Sequence, residues 1–147
     1  MLAHYKGEKL ESAFRGQELM TDIGAVAGKL ANVSIVEELK EGDALYSEGD
    51  TSKGMLYFIL SGGLTLSDRG GLSYPVGANK MIGEFPMLLP DQAQYVVTAT
   101  ARETSVIAKV PVDQFRGIAK DHPELWENMA RMLARRLRDN NEQRRTK

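Results

Sequence analysis

The residues best suited to chemistry fall in one short segment, Gly83-Glu84-Phe85-Pro86-Met87-Leu88-Leu89-Pro90. A glycine, an acid and a brief apolar run closed by Pro90 read as a single helical turn, because proline interrupts the helical hydrogen-bond ladder. A helix start presents unpaired backbone N–H groups, which attract anions. Taken alone, Gly83 is a turn glycine and Glu84 an acid favoured at a helix start. Other chemistry finds little support. His4 and His122 fall in different helical regions, and His122 precedes Pro123, where capping suits it better than catalysis. No His/Asp/Glu cluster has metal-ligand spacing. No nucleophile–base pair is suggested, and no phosphate loop of the nucleotide-hydrolase type is present. The chain has no cysteine, which removes disulfides, thiolate metal sites and cysteine nucleophiles. Enzyme activity is not expected.

The elements that must position this segment are legible on either side of it. Nine of the fourteen glycines fall between residues 42 and 83, separating short runs rich in β-branched and large apolar residues. Strands are predicted at Val33–Glu37, Ala44–Ser47, Met55–Leu60, Leu64–Ser67, Leu72–Val76, Lys80–Ile82, Tyr95–Ala101 and Thr104–Val110. Eight short strands with frequent turns predict a mainly β fold, an eight-stranded antiparallel jelly-roll (β-roll) barrel with flanking helices. Few of the gaps hold a useful helix, so a parallel α/β sheet is disfavoured.

Residues 1–32 read as an N-terminal helical segment. Leu10 and Phe14 sit one turn apart, and Thr21 or Asp22 can cap a second helix carrying Ile23, Val26 and Leu30. Residues 33–110 form the β-roll, with the helical turn at 84–89. Residues 111–147 supply a short helix bearing Phe115 and Ile118, then a long one in which Leu125, Met129, Met132, Leu133 and Leu137 recur at three- and four-residue spacing.

The chain has 147 residues, enough for one domain with a hydrophobic core, and no apolar run approaches membrane-spanning length. With no apolar leader behind Met1, the cytoplasm is the expected location. Net charge is −1, but residues 135–147 carry +4 and leave −5 on the remainder. The ordinary reading of that basic run is a solvated helix end complementing the dipole.

In order, these pieces resemble the cyclic-nucleotide-binding domain, including the sensor half of the catabolite-activator family of regulators. The resemblance covers about Val33 to Glu142. Leu39-Lys40-Glu41-Gly42-Asp43-Ala44-Leu45-Tyr46-Ser47-Glu48-Gly49-Asp50 resembles the family's "pGe.l..eGd" stretch. Met55-Leu56-Tyr57-Phe58-Ile59-Leu60-Ser61-Gly62 is similar to its "lyfil.G" strand. Ile82 to Leu89 resembles the opening of the phosphate-binding cassette, and Met132-Leu133-Ala134-Arg135-Arg136-Leu137 the dimerising C-terminal helix. The resemblance implies a ligand site at Gly83, Glu84, Phe85, Tyr95 and Val96, with Asn140 and Asn141 offered to a base, and a ligand of the cAMP or cGMP type. It implies that Glu84 accepts a hydrogen bond from the ribose 2′-hydroxyl. It further implies a homodimer through the C-terminal helix, with Leu125, Met129, Met132 and Leu137 at the seam.

Two departures stand out. Tyr95 occupies the position of the arginine that pairs with phosphate in the family, and Pro86 brings no N–H where the family has alanine or glycine. Each lost hydrogen bond to a charged group costs about 1.5–3 kcal/mol, so cyclic-nucleotide affinity is expected to fall at least about a hundredfold. Arg102, just past Ala101, is the remaining candidate cation in that region, although a strand-end arginine is ordinarily solvated. The family's regulators add a helix-turn-helix after the long helix, and no DNA-reading domain is expected here.

Two functions follow. One is a non-enzymatic sensor that binds a small ligand and signals through the C-terminal helix. The alternative is a degenerate docking module that does not bind cyclic nucleotide, binds a protein partner, and lays Tyr95 across the old phosphate space.

Overall fold

The computed structural model describes residues 2–145, with side-chain burial assigned through residue 142. Eight strands form two antiparallel sheets of four. Strands β1 (Ile35–Leu39), β8 (Ser105–Pro111), β3 (Met55–Ser61) and β6 (Met81–Ile82) lie side by side in one. Strands β2 (Ala44–Tyr46), β7 (Thr98–Ala101), β4 (Gly63–Ser67) and β5 (Ser73–Gly77) make the other. This is the mainly β, jelly-roll architecture expected from the turn spacing.

The run Leu56–Leu60 is apolar at every position because β3 is covered on both faces. Successive side chains point opposite ways. Leu56, Phe58 and Leu60 therefore face a helical layer, while Tyr57 and Ile59 face the second sheet inside the roll. Strand β8 divides in the same way, with Val106, Ala108 and Val110 under the helices and Ile107 inside.

The helical layer comprises α1 (Gly7–Arg15), α2 (Ala27–Val33), α4 (Val112–Asp121) and α5 (Glu124–Arg145), with a one-turn helix α3 (Phe85–Leu88) inside the β region. The helical segment before β1 covers the roll, since Phe14, Leu19, Met20 and Leu30 are buried in the core shared with α4 and α5. Asn128 on α5 fastens this segment, donating from Nδ2 to Leu19 O at 2.8 Å and Thr21 O at 2.9 Å. His122 closes α4 and accepts from Lys29 Nζ at 2.9 Å.

Three expectations need correction. Asp22 does not cap the second helix: it adopts a left-handed φ of 64°, a 3-10 turn follows at Gly24–Val26, and α2 starts at Ala27. Strand β7 begins at Thr98 rather than Tyr95, because Tyr95 bonds instead to the β2–β3 loop, with its N–H on Asp50 O. Finally, Leu125, Met129 and Met132 are at most 1% exposed inside this chain's own core, so they are not a dimer seam. The N-terminal helices and α4 satisfy the apolar stripe of α5, leaving Leu137 at 63% exposure as the one proposed seam residue at the surface. Of the basic run at the end of α5, Lys147 lies outside the described residues, as do the side chains of Arg144 and Arg145.

Candidate ligand site

The cassette starts with a conformation that suits glycine. Gly83 has φ +90°, and a Cβ there would lie 2.8 Å from Tyr57 Cδ2. Both facts favour glycine where β6 turns into α3. The turn sends Glu84 inward and Phe85 outward, 3% and 43% exposed respectively. Leu88 N–H bonds Glu84 O at 2.9 Å and Leu89 N–H bonds Phe85 O at 2.8 Å, closing the single turn. Pro86, inside α3, contributes no donor.

A buried carboxylate needs a partner. For Glu84 it arrives from α5: Arg136 Nη1 lies 3.4 Å from Glu84 Oε1, and Nη2 donates to Met81 O at 2.8 Å. Burial raises the Glu84 pKa above the ordinary carboxylate value, while Arg136 and a backbone hydrogen bond pull it down. The guanidinium carries five N–H donors in a planar fork, so these two bonds leave others for a ligand.

Tyr95 is also buried, with 3% exposure. Its ring stacks on Tyr46, with centroids 3.9 Å apart and planes 16° from parallel. Its hydroxyl lies 3.0 Å from that of Tyr57 and accepts from Lys53 N–H at 3.1 Å. Burial, reinforced for Tyr46 by the neighbouring Glu84 charge and for Tyr57 by the bond to Tyr95, pushes both of those phenols well above their ordinary pKa. They stay neutral at physiological pH and are not a source of charge.

Between cassette and α5 lies a cleft of about 270 Å³. Gly83, Glu84, Phe85, Tyr95 and Val96 line one side, and Arg136 and Asn140 the other. Six of the seven residues nominated from the sequence thus meet in one place. Asn141 does not join them: it is exposed and absent from the cleft wall. Arg102 is exposed too, and its guanidinium lies over Gly63. Tyr95 lines the cleft without filling it.

Arg136 is the residue that sequence reading missed, having been counted within a solvated basic end. The signal was available. Leu125, Met129 and Met132 define the inward stripe of α5, and four-residue steps from Met132 reach Arg136 and then Asn140. The stripe changes from apolar to polar where the helix leaves the core and passes the cleft.

Among the described residues, no group of three or more His, Cys, Asp or Glu side chains is placed to hold a metal ion, and no helix is long and apolar enough to cross a membrane.

A sequence model of the cyclic nucleotide-binding domain matches residues 36–122. Among curated proteins, the chain is 29% identical over 133 residues to the Pycsar effector protein PaPycTIR of Pseudomonas aeruginosa, covering 90% of this chain and 42% of that protein. It is 26% identical to BcPycTIR of Burkholderia cepacia, covering 92% and 45%. The chain therefore spans less than half the length of these relatives. Among solved structures, the catabolite activator protein of Thermus thermophilus superposes with a TM-score of 0.71 at 21% identity, covering 86% of this chain and 61% of that one. The sensor domain of the regulator DNR from Pseudomonas aeruginosa gives 0.71 at 18% identity, covering 86% and 92%. At those identities the superpositions carry the fold alone. The family match spans most of the β-roll and the cassette that forms the cleft, and this chain belongs to the cyclic nucleotide-binding domain family.

Proposed function

We propose that this domain is a ligand sensor that holds a cyclic-nucleotide-type anion in the cleft and reports occupancy through α5. The observation carrying the reading is the pairing of Glu84 with Arg136 across the cleft. An anionic phosphate needs a positive side chain, and Tyr95 and Pro86 remove two of the family's devices for holding one. Arg136 supplies a cation from the other wall. Glu84 keeps the acceptor that a ribose hydroxyl requires, and Asn140, one turn beyond Arg136, offers both a donor and an acceptor to a base. A ligand that recruits Arg136 competes directly with Glu84 and Met81 O. Binding then changes how α5 is anchored, which is a physical route from pocket to helix.

Because the curated relatives are more than twice as long, the reading extends to an effector that this domain controls, on the same chain or on a partner. It places the domain in the cytoplasm and assigns any homodimer to the outer face of α5, around Leu137. The domain itself binds and does not catalyse.

Hydrogen exchange along α5 tests this, measured with and without cAMP or cGMP. The sensor predicts altered exchange near residues 132–142 on binding. Binding that leaves α5 untouched rejects signalling through the helix. Absence of binding up to millimolar nucleotide favours the docking module, for which the committed Tyr95 hydroxyl and Pro86 are the supporting features.

A further inference from the structure

A second and larger depression of about 390 Å³ adjoins the cleft, between β5 and α5. The two share Tyr74, Arg136 and Asn140 in their walls. Tyr74 stands at the junction, near enough to Glu84, Asp68 and Arg136 for all three charges to act on its hydroxyl. The outer depression is basic: Lys80, Arg135, Arg136 and Arg138 line it against Glu18 and Asp139. That local excess stands out on a chain whose net charge is −1.

The cations are convergent rather than scattered. Lys80 Nζ and Arg135 Nε both donate to one oxygen, Glu18 Oε2, at 3.1 and 3.2 Å. Glu18 is held in place by its own N–H on Asn79 O at 2.9 Å, and its side chain is only 17% exposed. One carboxylate oxygen thus gathers an ammonium and a guanidinium that retain further N–H donors. Two cations fixed around one small anion make a suitable geometry for a larger oxyanion, which can bridge both.

We infer that this groove is a second oxyanion subsite, for a phosphate-type group held by Lys80 and Arg135, with Arg138 at the rim. The preferred ligand of the domain then carries two phosphate-type groups, one in the cleft and one in the groove, passing Tyr74 between them. This deepens the reading of the cleft and rests on it for the first of the two groups.

The probe is inorganic pyrophosphate, titrated calorimetrically into the full chain. Lys80→Ala combined with Arg135→Ala is expected to weaken its binding at least about tenfold. Glu18→Gln, which frees both cations from their carboxylate, is expected to strengthen it several-fold. That opposite sign keeps the test decisive should the double variant fold poorly. No binding to tens of millimolar, or affinity indifferent or weakened in Glu18→Gln, overturns the subsite. A parallel cAMP and cGMP titration separates the two claims. Pyrophosphate binding with silent cyclic nucleotides leaves the groove and removes the cleft, and the reverse result does the opposite.

Discussion

Arg136 Nη1 stands 3.4 Å from Glu84 Oε1, joining the long C-terminal helix to the cassette across 52 residues of sequence. The contact is long for an ion pair, yet the side chains are only 17% and 4% exposed. Removing one partner leaves the other in a poorly solvated place. Arg136→Ala is therefore expected to lower stability by about 2 kcal/mol in urea unfolding, from the loss of compensation at Glu84 and of the bond to Met81 O. Arg136→Lys keeps the charge but not the planar fork, and should recover only part of the loss.

Glu84 gives a pH signature. Its folded-state pKa is raised above the ordinary value of 4.5, chiefly by burial. The folded state then binds the proton more tightly than the unfolded one. This contribution to stability is present in full below the unfolded pKa and fades as pH rises through the folded pKa. Glu84→Gln cannot titrate. Thermal melts of the two proteins should show Tm of the variant gaining on wild type as pH rises from about 4 toward neutrality. A difference independent of pH contradicts the assignment.

Gly83→Ala introduces a Cβ that meets the Tyr57 ring on a backbone with φ +90°. A cost of about 2 kcal/mol is expected by chemical denaturation, from left-handed strain and displacement of the ring. Ligand affinity should drop as well, because the same turn aims Glu84 into the cleft.

Tyr95→Phe removes a hydroxyl already engaged with Tyr57 and Lys53 N–H. Stability should fall by about 1 kcal/mol, while cyclic-nucleotide affinity changes less than twofold, since the hydroxyl is bonded to other protein groups. A large affinity loss would mean that Tyr95 contacts the ligand with its polar end.

All eight strands were legible because glycines separate the first seven from one another and because the buried β3 run is too short and too β-branched or aromatic for a helix. The cassette was legible through Gly83, Glu84 and Pro90, whose local conformations follow from their own chemistry. The Arg136 partnership was legible only in part: the four-residue step from Met132 puts Arg136 on the inward stripe of α5, but does not say whether it meets a carboxylate there or water. That distinction depends on how α5 lies over the roll. The same dependence misassigned Leu125, Met129 and Met132. Their stripe announces burial without naming the surface that buries it, and here the covering surface belongs to the same chain.

Calorimetric titration of cAMP and cGMP into wild type and Arg136→Ala tests the central claim most directly. The account predicts binding to wild type with at least one of them, weakened at least about tenfold in the variant because the phosphate loses the one cation that the described residues bring to the cleft wall. Equal affinity in the two proteins, with the variant folded, would contradict it.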